Sequence, residues 1–163
     1  MLRESGLTEK LNLIKFILGF TETVMLDFDN TSLKSVKYWA SRTMKWFKLG
    51  GFIILRSSKD NYHVVFDRPV SWSENMKIVA WVAQLSNNPM LQTWHRMQCI
   101  KEGSTLRISN KREKPSPRIV YRYGSQNGQI EEFLSYRRLG KQILRKFAED
   151  IIIPANGLAR VDG

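Results

Sequence analysis

Two carboxylates and one imidazole are the side chains of this sequence whose types and spacing best suit chemistry. Asp27 and Asp29 end an apolar run at 24–29, and His63 lies in a second apolar run at 62–66. Side chains of a strand alternate between its two faces, so acids two residues apart share one face. Carboxylate oxygens are the ligands that Mg²⁺ and Mn²⁺ prefer. If the two runs are neighbouring strands, the pattern predicts a metal site beside a histidine.

Nucleotidyl transfer is a reaction that such a site can support. It needs a divalent cation between the attacking and leaving oxygens, and basic groups that neutralise developing charge. The candidates for these roles are Asp27, Asp29, His63 and Arg107. The alternative is structural: Asp29 begins a turn or caps the next helix, and His63 is a packed strand residue.

Composition places the chain among folded, basic proteins. Its 163 residues are 42% hydrophobic and 11% aromatic, which favours one compact domain. The 26 Lys and Arg outnumber the 15 Asp and Glu, for a net charge of +11, and this favours a polyanionic partner.

Cys99 is the only cysteine, which excludes an intrachain disulfide and a cysteine-cluster metal site. We expect a cytoplasmic, intracellular location and no membrane partner, because no membrane span or signal peptide is evident.

The periodicity predicts the elements that must position these residues. Strands are expected at 22–28, 52–56, 62–66, 105–109 and 119–123, with a further strand at 94–101 forming a second hairpin with 105–109. Helices are expected at 8–18, 32–49, 73–85 and 131–149. We expect a single domain over 1–153 and a loosely ordered tail over 154–163.

The order of these elements predicts an α+β fold. Strand, helix, strand, strand, helix, strand is the βαββαβ core of ferredoxin-like and RNA-recognition (RRM) folds, here with additional N- and C-terminal helices and an extra β-hairpin. That topology puts the first and third strands side by side at the centre of the sheet. Asp27, Asp29 and His63 would then share a central surface, and the fourth strand, with Arg107, would flank the first.

Three motifs in this order resemble the archaeo-eukaryotic primase superfamily, which includes plasmid and viral primase-polymerases that act in DNA replication. The motifs are the apolar Asp-x-Asp at 24–29, the serine-to-histidine segment at 57–63 and the Leu-Arg segment at 105–109, and the resemblance covers 22–120. It implies that Asp27 and Asp29 bind Mg²⁺ or Mn²⁺ as a cofactor. It also implies that the incoming nucleotide contacts Ser57, Ser58 and His63, and that Arg107 holds phosphate.

The third motif of that family, an Asp on a later strand, has no obvious counterpart. The comparable place reads Met97-Gln98, and the nearest carboxylate, Glu102, is the further candidate metal ligand. Two interpretations therefore stay open. One is a primase or polymerase-type nucleotidyltransferase, and the other is a non-enzymatic single-stranded nucleic-acid-binding protein or accessory primase subunit.

Two other enzyme classes share parts of the pattern. The run 26–31 resembles the first motif of haloacid-dehalogenase-type phosphatases, in which the first Asp is a nucleophile. Those enzymes need a later strand with an acidic pair, and the late candidates are Glu149 and Asp150. A rolling-circle endonuclease would need a second histidine on the strand of His63.

A basic loop predicts the surface for a nucleic-acid strand. Glu113 is the only acid between Arg107 and Arg122, and no helical period explains the cations. Such clusters bind phosphates with little sequence preference. The candidate nucleic-acid-binding residues are Lys111, Arg112, Lys114, Arg118 and Arg122. The expected partners are template DNA or RNA, nucleoside triphosphates and other replication proteins, whereas the five tryptophans are expected to be core or rim residues.

Overall fold

A computed structural model describes residues 16–110 and 114–161 of the chain, and their side chains up to residue 146. Six strands and four helices follow one another in these residues. They are, in order, β1 (Ile17–Phe20), β2 (Met25–Phe28), α1 (Leu33–Phe47), β3 (Gly51–Ser58), β4 (Asn61–Phe66), α2 (Trp72–Leu85), α3 (Pro89–Lys101), β5 (Ser104–Arg107), β6 (Arg118–Gly124) and α4 (Gln129–Val161). The predicted α+β class is confirmed, and the arrangement is compatible with a ferredoxin-like fold.

The strands form two antiparallel sheets. The larger one has the order β2-β4-β3-β6, and the smaller one pairs β1 with β5. The prediction that the first and third core strands are neighbours is confirmed, because β2 pairs with β4. The prediction that the strand of Arg107 flanks β2 is wrong: β5 pairs with β1, and Arg107 lies opposite Ile17. Within the described residues β2 is therefore an outer strand of its sheet, with β4 and β3 at the centre.

One face of the larger sheet packs against α1, α2 and α3. Its alternate residues, such as Leu26 of β2, Ile54 of β3 and Val64 of β4, are fully buried there. Val36 of α1 and Ile78 of α2 come from the helical side of the same core. Successive side chains of a strand point to opposite faces, and β3 and β4 are apolar at nearly every position because both faces of the sheet are covered.

The opposite face is covered by the smaller sheet and the start of α4. Met25 and Val65 of the larger sheet pack there with Leu106 of β5 and Phe133 of α4. Asp27 and His63 are two residues along their strands from Met25 and Val65, so both belong to this face. The helical layer therefore lies on one side of the sheet and the Asp27–His63 pair on the other.

The predicted second hairpin is wrong in its first half, because residues 94–101 lie in α3. The pair Asn88-Pro89 starts this helix instead of ending the previous element. Asn88 Oδ1 accepts hydrogen bonds from the backbone N–H groups of Met90 and Leu91, both at 3.1 Å. Proline at the first helical position has no N–H to leave unpaired, so it suits the place.

The two ends of the chain differ from the sequence prediction. The helix predicted over 8–18 lies mostly outside the described residues, and its last residues belong to β1. The closing helix predicted over 131–149 begins at Gln129 and continues to Val161, through most of the predicted tail. Over the ranges that are described, no helix is both long and apolar enough to cross a membrane.

Asp67, just after β4, fixes the start of α4. Its Oδ1 accepts hydrogen bonds from the backbone N–H groups of Gly128 (2.9 Å) and Ile130 (3.2 Å), and its Oδ2 accepts one from the Ser125 hydroxyl (2.6 Å). A carboxylate at a helix N-terminus also meets the positive end of the helix dipole. The buried acid therefore ties the last helix to the central sheet.

Replacing Asp67 with alanine should be costly, because it leaves the N–H groups of Gly128 and Ile130 unpaired, the second of them fully buried. We expect the Asp67→Ala variant to lose about 3 kcal/mol of unfolding free energy, and Asp67→Asn, which keeps an acceptor, to lose about half of that. Urea denaturation measures both. The exposed Glu131, also in the first turn of α4, provides the control, and Glu131→Ala should cost less than about 1 kcal/mol. Equal losses at the two positions would contradict the role of Asp67.

Candidate functional site

Asp27 and His63 face each other across two paired strands. β2 and β4 run antiparallel with Asp27 directly opposite His63. Asp27 Oδ1 lies 3.6 Å from His63 Nε2, which is beyond ordinary hydrogen-bonding distance. His63 is buried, whereas about a quarter of the Asp27 side chain is exposed, at 24%. The carboxylate is therefore reachable from solvent at the rim of a buried face.

Asp29 provides the second carboxylate and does not cap the following helix. Ser32 is the N-cap of α1, where its hydroxyl accepts a hydrogen bond from the backbone N–H of Ser35 at 3.2 Å. Thr31 donates to the backbone carbonyl of Asp29, not to its side chain. Within the described part of the chain the Asp29 carboxylate has no hydrogen-bond donor. The capping alternative therefore does not explain this acid.

Burial gives the site unusual electrostatics. It raises the pKa of Asp27 to about 7, helped by the negative charge of Asp29 and opposed by Arg107 and Lys114. Burial also raises the pKa of Asp29, against the effect of Lys114. The pKa of His63 falls to about 3 because of burial and the nearby Arg107. The close approach of Asp27 to His63 is thus a contact with a neutral ring and not an ion pair at neutral pH.

An orphaned oxygen marks the place where a cation fits. Asp27 Oδ1 is buried and accepts no hydrogen bond. A buried acceptor without a donor is costly, and a bound cation satisfies it. Mg²⁺ is commonly held by one or two protein carboxylates together with phosphate oxygens and water. Asp27 and Asp29 therefore fit Mg²⁺ or Mn²⁺, although no group of three or more metal-ligating side chains forms among the residues described.

Arg107 is fixed at this site by backbone carbonyl groups. Its Nη1 donates to the carbonyls of Ser109 and, at 3.1 Å, Pro115, and its Nη2 donates to the carbonyl of Ser57 at 3.4 Å. These bonds hold the end of β5, the end of β3 and the segment after residue 114 together. The same guanidinium acts on Asp27 electrostatically. Arg107 thus joins the predicted site even though its strand pairs elsewhere.

A basic cleft of about 440 Å³ adjoins the carboxylates. Four cations, three serines and one proline line it, with no acid among them: Arg56, Ser57, Ser58, Lys59, Lys114, Pro115, Ser116 and Arg118. Arg56 and Arg118 lie directly opposite each other on β3 and β6. Like charges placed so are unfavourable unless an anion lies between them. Lys114 connects the two parts, because it lines the cleft and acts on both carboxylates.

Asn61 is a positioning residue that sequence reasoning missed. Its side-chain oxygen accepts a hydrogen bond from the backbone N–H of Asn30 at 2.9 Å, and its amide nitrogen donates to the Ser58 hydroxyl. Its backbone carbonyl accepts a hydrogen bond from the Ser57 hydroxyl at 3.2 Å. It therefore couples the acidic end of β2 to the serines of the cleft. The only sequence signal was an asparagine in a predicted turn.

Several predicted site residues lie elsewhere. Glu102 ends α3 in a left-handed conformation, just before the start of β5, whereas Arg107 is at the end of that strand. The charge of Glu102 is not among those that shift the pKa of Asp27. The structure therefore does not bring this candidate metal ligand to the site. Gln98, in the place compared with the third motif, is buried in α3 and accepts a hydrogen bond from the backbone N–H of Thr105 at 3.0 Å. Gln98 thus anchors β5.

The other predicted basic residues divide into three groups. Lys114 and Arg118 line the cleft, whereas Lys111 and Arg112 lie outside the described residues. Arg122 is on β6, near Arg137 of α4, and helps to lower the pKa of that guanidinium after the larger effect of burial. The acidic pair needed by the phosphatase alternative, Glu149 and Asp150, lies within helix α4 and not on a strand.

The candidate site is thus two carboxylates and a neutral imidazole at the rim of a sheet, beside a cleft of cations and hydroxyl groups. Comparisons of the chain with protein-family models, curated proteins and solved structures gave no match.

Proposed function

We propose that the chain is a primase-polymerase-like nucleotidyltransferase that binds a nucleoside triphosphate together with Mg²⁺ or Mn²⁺. The observation that carries this proposal is the junction at Lys114, where two unsatisfied carboxylates meet a cleft suited to phosphates. Carboxylates without the cleft would suit any divalent cation, and the cleft alone would suit any anion. Side by side, they suit a metal-bound polyphosphate.

Each group of residues has a separate task in this proposal. Asp27 and Asp29 would hold the cation, and the cation would supply positive charge that stabilises the nucleotidyl group during its transfer. Arg56, Lys114 and Arg118 bind the phosphates electrostatically, and the hydroxyls of Ser58 and Ser116 beside them offer hydrogen bonds. His63 packs beside Asp27 without adding charge, because its ring is neutral at pH 7.

The reaction proposed is the extension of a nucleic-acid strand. The terminal hydroxyl oxygen of the strand bonds to the α-phosphorus of the triphosphate, and the bond from that phosphorus to pyrophosphate breaks. The hydroxyl proton passes to solvent. Backbone contacts by the basic residues of β6 and α4 would hold the strand with little sequence preference.

Nucleotide incorporation on a single-stranded template tests this function. We expect labelled nucleotides to enter polymer in the presence of Mg²⁺ or Mn²⁺, and EDTA to abolish the product. A protein that binds single strands but incorporates nothing with either metal would contradict the transferase. That outcome would favour the binding-protein alternative. The observation that supports this alternative is that β5 places Arg107 near Asp27 and supplies no third carboxylate.

The cleft makes its own prediction through Arg118. We expect Arg118→Ala to raise the KM for the nucleoside triphosphate about tenfold, because one charged contact to phosphate contributes about 1.4 kcal/mol. The kcat should change little, since Arg118 lies away from the carboxylates. Arg96, exposed on α3 and outside the cleft, supplies the control. If Arg118→Ala and Arg96→Ala leave KM equally unchanged, the cleft does not bind the triphosphate.

A further inference from the structure

Aromatic rings project into solvent from the helical layer, on the side of the sheet away from Asp27. Trp46 of α1 is 70% exposed and Tyr38 is 55% exposed. They are eight residues apart, about two helical turns, so they lie on the same face of α1. The sequence prediction that all tryptophans belong to the core or its rim is wrong for Trp46. Single exposed apolar side chains are common, but a contiguous exposed aromatic surface marks an interaction site.

The exposed rings belong to a continuous row, which we call the aromatic row: Tyr38, Trp39, Arg42, Trp81 and Trp46. The rings of Trp46 and Trp81 are stacked, with centroids 6.2 Å apart and planes 10° from parallel. The Arg42 guanidinium lies 5.6 Å from the Trp39 ring and 5.9 Å from the Trp81 ring. Its Nη1 donates a hydrogen bond to the Tyr38 hydroxyl at 3.0 Å.

These contacts hold the row in place before any ligand arrives. Trp81 packs edge-on against Phe47, with centroids 5.1 Å apart, and Tyr38 packs edge-on against Trp39 at the same separation. A surface whose rings are already ordered loses less side-chain entropy on binding. The row is therefore a rigid platform with two open ring faces.

Charge decides which kind of partner suits this platform. From Ser32 to Leu49 the chain has five cations and no acid: Lys34, Lys37, Arg42, Lys45 and Lys48. An apolar protein surface would bury the rings but offer no negative charge to these cations. A single nucleic-acid strand satisfies both features, because its bases stack on aromatic rings while its phosphates pair with cations.

We propose that the aromatic row is a binding surface for single-stranded nucleic acid, with unpaired bases stacking on Tyr38 and Trp46. A duplex fits less well, because its bases are already stacked on each other. Neither Tyr38 nor Trp46 lines the cleft or the pocket beside Asp29, and Asp27 is on the opposite face of the sheet from α1. Binding here is therefore separate from the proposed transferase and does not depend on it.

Oligonucleotide binding by the full chain in EDTA tests the proposal. Fluorescence anisotropy of labelled oligothymidylate, about 20 nucleotides long, gives the Kd. Because stacking of one base on one ring is lost, we expect Trp46→Ala and Tyr38→Ala each to raise the Kd about 5- to 100-fold. Trp46→Phe keeps a ring and should retain most of the affinity. The matched control is Ile100→Ala on α3, which removes an 81% exposed apolar side chain and should leave the Kd unchanged.

An abasic oligomer of the same length separates stacking from charge. It should bind the wild type more weakly than oligothymidylate, and Trp46→Ala should not weaken its binding further. Three results would overturn the proposal: unchanged oligothymidylate affinity in Trp46→Phe and Trp46→Ala alike, equal losses for both oligomers, or equal competition by polyglutamate, which would indicate an acidic protein partner. Because the assay contains no divalent metal and measures binding alone, failure of the transferase proposal would leave its outcome unaffected.

Discussion

Replacing Asp27 with asparagine is expected to remove nucleotide incorporation, by more than about 100-fold, while making the metal-free protein more stable above pH 7. The activity is lost because the amide cannot supply the anionic ligand that a divalent cation needs. The stability rises because the wild-type protein must otherwise keep a buried, unpaired carboxylate in its charged form. These opposite effects distinguish a binding role from a structural one.

The size of the stability gain follows from the raised pKa of Asp27. A rise from 3.8 to about 7 corresponds to several kcal/mol of penalty on the charged form, at roughly 1.4 kcal/mol per unit. The asparagine amide is also partly desolvated, so we expect a net gain of about 1 to 3 kcal/mol at pH 8. Chemical denaturation in EDTA gives the value. The isosteric control is Asp60→Asn in the exposed β3–β4 turn, where the left-handed backbone accepts asparagine and both readouts should stay unchanged.

The pH dependence of this gain has a definite sign. The folded state binds a proton at Asp27 more tightly than the unfolded state, so the wild-type stability contributed by this group falls as pH rises from about 4 to about 7. His63 acts oppositely, because its lowered pKa makes stability fall as pH drops from 6.5 towards 3. The difference between Asp27→Asn and wild type should therefore be small at pH 4 and largest above pH 7. A difference that does not vary with pH would contradict the buried-carboxylate explanation.

Replacing Gly51 with alanine is expected to cause the largest loss of stability, more than about 3 kcal/mol. A Cβ atom at Gly51 would lie 2.1 Å from the Ser125 carbonyl oxygen and 2.5 Å from the Ser125 nitrogen. Both are backbone atoms, so the strain can be relieved only by separating β3 from the end of β6. Because β6 carries Arg118, this substitution should also weaken nucleotide binding at the cleft.

Gly103 provides the matched control for this substitution. A Cβ atom there would meet only the Phe20 carbonyl oxygen, at 4.0 Å. Gly103→Ala should therefore change the unfolding free energy by less than about 1 kcal/mol. Alanine also lowers the conformational entropy of the unfolded chain, and this effect stabilises the folded state. Thermal and urea unfolding compare the two variants. If Gly51→Ala is as stable as Gly103→Ala, the close approach of β3 and β6 at this point is wrong.

Local patterns were sufficient to predict the part of the site that lies on neighbouring strands. Alternation along β2 and β4 puts Asp27 and His63 on one face, and hairpin composition makes β4 a neighbour of β3. Arg107 was predicted at the site for a topological reason that is wrong. Arg107 lies at the site although β5 pairs with β1 and not with β2. The strand with which β5 pairs is decided by long-range contacts, and the periodicity of the sequence does not encode it.

Other residues depend on contacts that are distant in sequence. Asp67 caps a helix that begins more than sixty positions later in the chain, at Gln129, so no local capping pattern identifies it. The exposure of Trp46 depends on how α1 packs against α2, whereas its apolar type alone favours burial. Asn88-Pro89 illustrates an ambiguity of another kind, because the same pair can end one helix or start the next.

Binding of Mn²⁺ by electron paramagnetic resonance tests the central claim most directly, because free and protein-bound Mn²⁺ give different signals. We expect the wild type to bind Mn²⁺ weakly alone and much more tightly with a nucleoside triphosphate. Asp27→Asn and Asp29→Asn should each abolish this protein-dependent tightening, whereas Asp60→Asn should preserve it. Tight ternary binding that survives in the Asp27→Asn Asp29→Asn double variant would show that these carboxylates do not hold the metal.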